Sequence, residues 1–303
     1  MHDGHAHTHH GHTHAHHSQN IPNQRYTIAI GLNLAFVAVE TVAGFAANST
    51  ALLSDAAHNL SDVLGLALAG GAAWLARRRG SEKRTYGFSK ATVLAALANA
   101  LVLVIACGGI AAEAVQRLFA PQATQPLLVM MVAGAGVIIN GATAMLFVSG
   151  RKDDVNARGA YLHMLGDAGV SAGVIVAGGV IYMTGVQWVD PVTSLIVVAL
   201  IVWSAWGLLR ESLDLAMDAA PAHIDVAAVR AHLAEQPGVT AVHDLHVWAM
   251  GASTPALTAH LVRPEGGDDA FLAAVADGIA HKFGIGHVTL QIERAQRDDC
   301  AEC

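Results

Sequence analysis

His58 and Asp62 stand four residues apart in the sequence, and so do His163 and Asp167. On an α-helix that spacing puts both side chains of a pair on one face, one turn apart. Imidazole nitrogen and carboxylate oxygen are donors that zinc accepts at about 2.0–2.2 Å, and two such pairs facing each other make a tetrahedral set. Two carboxylates also cancel the charge of a divalent cation, whereas the same groups empty and ionised would be costly away from water. Each pair could instead satisfy itself by hydrogen bonding within its own helix. Two identical His-x-x-x-Asp spacings in separate segments argue for a shared ion.

The segments that carry these pairs are apolar, which makes their ionisable groups costly and therefore candidates for function. Hydrophobic residues make up 53% of the 303, and only 14% are charged, where a soluble domain carries roughly 25%. With 30 glycines and 5% aromatics, the composition suits helices packed closely through small residues in lipid. Six stretches are long enough to cross a hydrocarbon layer of about 30 Å, each needing roughly 20 residues. They are Thr27–Ala47, Ala51–Ala76, Ala91–Val115, Leu127–Val148, Ala160–Thr184 and Val189–Leu209.

One set of span ends holds Arg25, Arg77, Arg78, Arg79, Lys83, Arg84, Lys90, Arg151, Lys152, Arg158 and Arg210, against Arg117 alone on the other. By the positive-inside rule both termini are cytoplasmic. At 1.5 Å per residue the span 2 pair then lies roughly 14 Å below the outer face, and the span 5 pair roughly 10 Å above the inner one. The two meet within about one turn in a layer of about 30 Å.

From about Asp218 the chain has ordinary charge density, after a boundary at Ala219-Ala220-Pro221. Apolar spacing predicts a helix over Asp225–Glu235, strands over Val239–Met250 and Ala256–Arg263, a helix over Asp268–Phe283 and a strand over His287–Glu293. The expected fold is a six-helix membrane domain followed by an α-β-β-α-β domain, an open α+β sandwich of the ferredoxin-like, metallochaperone-like kind. The expected divisions are a tail over 1–24, a transport domain over 25–214, a cytoplasmic domain over 215–297 and a Cys-containing tail over 298–303.

The runs Leu53-Ser54-Asp55-Ala56-Ala57-His58-Asn59-Leu60-Ser61-Asp62, Gly159-Ala160-Tyr161-Leu162-His163-Met164-Leu165-Gly166-Asp167 and His243-Asp244-Leu245-His246-Val247-Trp248 resemble the cation diffusion facilitator family, zinc-preferring branch. The resemblance covers about Tyr26 to Glu293. It implies a six-span homodimer that exports divalent transition metal from the cytoplasm in exchange for protons. It also implies that His58, Asp62, His163 and Asp167 are the transport site. Zinc is the expected substrate, and cobalt or cadmium remain open because ligand type and geometry grade affinity.

The loop Ser81–Phe88 departs from relatives that carry a second metal there, with Arg84 and Phe88 in place of histidines, and no metal is expected in it. Thr92 stands where many relatives carry an acid. A basic residue at the position of Lys90 pairs, in some relatives, with an acid after span 6, which would make Lys90 and Asp214 partners at a dimer hinge. Anchoring of Lys90 by the positive-inside effect is the alternative.

In the soluble domain His243, His246, His260 and His287 fall on expected strands. Relatives bind metal at several of these positions, and some complete the site with a C-terminal cysteine pair, here Cys300 and Cys303. Since His243 and His246 are three apart, a regular strand turns them to opposite sides, and at most one joins a given site.

Nine of the 18 histidines lie in the first 17 residues, as His2, His5, His7, His9, His10, His12, His14, His16 and His17. This tract reads as a metal-gathering tail. Asp55 supports the tetrad or caps its helix. Glu40, Asn33, Asn99 and Asn140 are expected to hydrogen-bond between helices.

Proton competition for ligands that bind metal only when deprotonated gives a physical basis for antiport. The expected function is therefore a proton-coupled metal exporter in a bilayer, with a bacterial inner membrane as its setting. A non-transporting membrane metal sensor or store is the alternative. An enzyme is not expected: His-Glu-x-x-His is absent, and no carboxylate beside the tetrad histidines serves as general base. Net charge is −7, which offers no basic field for nucleic acid.

Overall fold

The computed structural model describes residues 23–148, 155–252 and 254–295. The histidines of the N-terminal tract, Cys300 and Cys303 lie outside the described residues. The membrane domain is built of α1 (Asn23–Ala47), α2 (Thr50–Ala76), α3 (Ala91–Phe119), α4 (Pro126–Phe147), α5 (Val155–Thr184) and α6 (Val189–Ala216). Five of these have spanning length and hydropathy, and α1 contributes a shorter apolar segment, Gly31–Ala47. Large apolar side chains such as Phe45, Ile105, Ile138, Met183 and Trp203 point outward, as expected of helices whose solvent is lipid.

Small residues make the inner contacts. Ala47, Ala51, Ala133 and Val174 bring α1, α2, α4 and α5 together, while Leu103, Cys107, Val197, Val198 and Ile201 join α3 to α6. A Cβ on Gly136 would come within 2.9 Å of the Phe36 ring and of Ser171 Oγ, so this glycine sets how closely α4 approaches α1 and α5.

The rotation of α2 is fixed at its outer end. Asn48 has φ of 54°, which reverses the chain, and Ser49 caps α2 by accepting from the Leu52 N–H. Asp190 in the first turn of α6 then accepts from the Ser49 hydroxyl, the Thr50 N–H at 2.7 Å and the Thr50 hydroxyl at 2.8 Å. One turn deeper, the hydroxyls of Ser54 and Ser194 lie 2.7 Å apart. With Ser54 held against α6, the next residue, Asp55, is turned about 100° away. It accepts from Ser171 of α5 at 2.8 Å. His58 and Asp62 follow Asp55 at helical spacing and so face α5 as well.

The soluble domain comprises α7 (Val226–Ala234), β1 (Ala241–Gly251), β2 (Thr254–Val262), α8 (Asp269–Phe283) and β3 (His287–Glu293). The sheet order is β1-β2-β3, with β1 antiparallel and β3 parallel to β2. The parallel pair requires a crossover, which α8 supplies. Asp225 and Asp268 cap α7 and α8, and Gly284 ends α8 with φ of 72°, the left-handed stop that glycine makes without strain. Val229, Leu233, Leu257, Leu261, Val275 and Ile279 form the core between helices and sheet.

The two domains meet at the start of α3. Lys90 forms an ion pair with Asp218, and the Ala252 N–H donates to Thr92 Oγ1 at 3.2 Å. The sequence expectation of a Lys90 and Asp214 pair is thereby corrected. Asp214 lies within α6, exposed and without an ion pair among the described residues. Just beyond the helix end, Asp218 adopts φ of 63°, and this reversal presents its carboxylate to Lys90.

Candidate metal centre

Two groups of possible metal-binding side chains occur among the described residues, and in each the ligand atoms all lie within 4.8 Å of one another. The first is His58, Asp62, His163 and Asp167. His58 Nε2 lies 3.3 Å from Asp167 Oδ1 and 3.8 Å from Asp62 Oδ2. His163 Nε2 lies 3.1 Å from Asp62 Oδ2 and 3.6 Å from Asp167 Oδ2. A tetrahedron with bonds of about 2.0–2.1 Å has edges of about 3.3–3.4 Å, so these spacings admit a zinc-sized ion with small adjustments.

Further features support that use. Asp167 is buried, His58 and Asp62 are half-buried and His163 is exposed. Asp62, His163 and Asp167 line a cavity of about 460 Å³ with Asn33, Asn59 and Asn99. This cavity reaches Gly159, beside Arg158 and thus toward the arginine-rich helix ends. Asp167 Oδ2 and His58 Nδ1 are buried with no hydrogen-bond partner among the described residues.

Around the tetrad, Asn59 Nδ2 donates to Glu40 at 3.1 Å and Asn99 Nδ2 to Ser61 at 3.4 Å. Asn33 Nδ2 reaches the sulfur of Met164, at 3.8 Å. Asn140 corrects an expectation: it is fully buried, yet neither amide atom has a partner among the described residues.

The second group is His243, His260 and Glu293. Glu293 accepts at 3.1 Å from His243 Nε2 and lies 3.2 Å from His260 Nδ1. Glu293 was not among the residues read from the sequence. It reaches the histidines because β3 pairs with β2 in the register Val262↔Glu293, while His243 opposes His260 across β1 and β2. The strand alternation would have marked it only if the sheet order were known.

His246 is exposed and pairs with Asp244 at 2.8 Å instead of joining this group. A register shift separates His243 from His246, and Asp244 has φ of 49°. The His246 hydrogen bond, helped by the nearby His260 and His243, holds the Asp244 carboxyl below the usual carboxylate range. His287 is placed apart. It begins β3, six residues from Glu293 and so about 20 Å along the strand, with its ring edge-on to Tyr86 at 5.7 Å. His287, one of the candidate ligands read from the sequence, thus lies apart from the His243, His260 and Glu293 group.

Comparison with known proteins agrees with this architecture. Residues 26–215 match the family model of the cation efflux transmembrane domain, and residues 221–295 match that of the cation efflux protein cytoplasmic domain. The cation efflux system protein CzcD of Alcaligenes sp. (strain CT14) is 36% identical, over 97% of this chain and 91% of the relative. The zinc transporter ZitB of Shigella flexneri is 35% identical, over 98% and 95%. A cadmium, cobalt and zinc/H(+)-K(+) antiporter of Bacillus subtilis is 33% identical, over 85% of each. A solved metal-bound C-terminal domain of the CzcD transporter from Cuprividus metallidurans is 37% identical, covering 23% of this chain and 99% of its own, with a TM-score of 0.20. With both domains matched and relatives aligned along nearly its whole length, the chain belongs to the cation efflux family, the cation diffusion facilitators.

Proposed function

We propose that this protein is a proton-coupled antiporter that exports divalent transition metal, zinc foremost, from the cytoplasm through the His58, Asp62, His163 and Asp167 site. The observation that carries this reading is the pair of cross-helix spacings, 3.1 Å for His163 with Asp62 and 3.3 Å for His58 with Asp167, beside spacings of 3.6 and 3.8 Å within each helix, inside a bundle of membrane-spanning helices. Metal bound there is formally neutralised by the two carboxylates. Protons compete for the same four groups, so loading with metal expels them and emptying readmits them.

The positive-inside bias puts both termini and the soluble domain on the cytoplasmic side, which makes the 460 Å³ cavity the cytoplasmic entrance. The bacterial sources of the named relatives support an inner-membrane setting. The cytoplasmic-domain family model fits a homodimer, in which His243, His260 and Glu293 bind a regulatory ion. The N-terminal histidines gather metal near the entrance.

Uptake of zinc, cobalt and cadmium into inside-out vesicles under an imposed pH gradient tests the reading. Gradient-dependent zinc uptake is expected. Binding without gradient-dependent flux of any of the three would leave a sensor or store as the better description.

A further inference from the structure

Glu40 is the only acidic side chain of α1, and it is fully buried. Its Oε2 accepts from Asn59 Nδ2, whereas Oε1 is buried with no partner among the described residues. Asp55 lies one helical turn before Asn59 on the same face of α2 and is also fully buried. Its Oδ2 accepts from Ser171, and among the described residues its Oδ1 is likewise without a partner. The two carboxyl groups lie within hydrogen-bonding reach of each other.

An ionised carboxylate only accepts hydrogen bonds. Two of them meeting in an interior without a donor between them leave two unsatisfied oxygens and an unrelieved like-charge repulsion. One proton between them removes both problems, because a carboxylic acid donates to the neighbouring carboxylate. We propose that Glu40 and Asp55 bind one proton between them, and that this pair is a proton site of the transport cycle separate from the metal tetrad and emptied when the tetrad loads. The inference rests on the tetrad being the metal site.

The surroundings show what acts on this proton. Beyond Asp55, α2 presents His58 and Asp62, and α5 presents His163 and Asp167. No titratable side chain occurs on α4, which contributes the buried Asn140 and Thr143. Elsewhere on α1 the charged residue is Arg25, near its start. A divalent ion in the tetrad, net of the protons it displaces there, is therefore the change of charge nearest the pair, about one turn from Asp55. Its field opposes the shared proton without touching it.

Asn59, which holds Glu40, also lines the tetrad cavity, so water there is the acceptor. The Glu40 O–H bond breaks as an O–H bond to that water forms, leaving both carboxylates ionised. When the metal departs, one proton returns to the pair. The proton thus moves opposite to the metal.

The test is zinc titration of the full-length protein in nanodiscs, in weakly buffered solution with a pH indicator, alongside infrared difference spectra of zinc-loaded and metal-free samples. In the wild type, zinc should abolish a C=O stretch of a protonated carboxyl. Glu40→Gln keeps the side-chain size and can donate its amide to Asp55. It should bind the same amount of zinc, lose that band and release about one proton fewer per zinc ion. Protons released at the histidine tract and the cytoplasmic cluster cancel in the comparison, since both proteins retain them.

Asp55→Asn should remove the same band, and it serves if Glu40→Gln fails to fold. Normal zinc binding by Glu40→Gln with an unchanged proton count and an unchanged band would overturn the proposal. So would a wild-type spectrum with no protonated carboxyl lost on loading. Zinc binding at full stoichiometry in Asp62→Ala would instead sink the tetrad assignment, a separate failure.

Discussion

His163 Nε2 on α5 stands closer to Asp62 on α2, at 3.1 Å, than to Asp167 on its own helix, at 3.6 Å. The converse holds for His58, 3.3 Å from Asp167 but 3.8 Å from Asp62. Each histidine is matched to the carboxylate of the other helix. The reading in which each pair satisfies itself within one helix does not describe this arrangement.

Asp62→Ala and Asp167→Ala should each abolish zinc transport while leaving the helices packed. Losing an outer-shell partner already costs a metal site about 10–100-fold in affinity, and losing a charge-neutralising ligand should cost at least the upper end of that range. Zinc uptake by proteoliposomes carrying each variant at matched protein content is the measurement. Uptake within threefold of wild type would contradict the four-ligand assignment.

His58→Asp should shift preference toward cadmium. The change replaces an imidazole with a carboxylate that can bind through one or two oxygens, which suits a larger ion, whereas zinc gains most from a closed tetrahedron. It also brings a third carboxylate into the site. Competitive uptake of cadmium against zinc gives the ratio, and an unchanged ratio would place selectivity outside the tetrad.

Asp218→Ala and Lys90→Ala should each impair transport, and Asp214→Ala should not. The pair is partly exposed, so the stability lost is expected to be under about 1 kcal/mol; the effect is on how the soluble domain is held to α3. The charge reversal Lys90→Asp with Asp218→Lys should recover activity that either single reversal loses. Equal defects in Asp214→Ala and Asp218→Ala would reinstate the pairing expected from sequence.

Zinc should raise the melting temperature of the cytoplasmic domain within the full chain, by mass action on a site present only in the folded state. His243→Ala and Glu293→Ala should remove that increment. His287→Ala and His246→Ala should retain it, because neither side chain belongs to the His243, His260 and Glu293 cluster. Hydrogen exchange of β1 and β3 with and without zinc distinguishes the four variants.

Much of this protein follows from local pattern. Apolar stretches of spanning length mark six helices, because backbone in lipid must satisfy its own hydrogen bonds. The four-residue spacing of His58 with Asp62 and of His163 with Asp167 announces two faces that carry ligands, because helical geometry is local. The alternation in residues 241–293 likewise marks the strands and helices of the soluble domain.

What spacing could not decide was which groups meet across elements. The rotation of α2, set by Asp190 on Ser49 and Thr50, turns Asp55 toward Ser171 and leaves Glu40 beside it. The order β1-β2-β3 brings Glu293 to His243 and His260 and leaves His287 a strand length away. The reversal at Asp218 selects that residue over Asp214 for Lys90. In each case the partner lies many residues away, and helix rotation, sheet register or a single backbone reversal decides the encounter. Those are properties of the packed chain, which no local periodicity records.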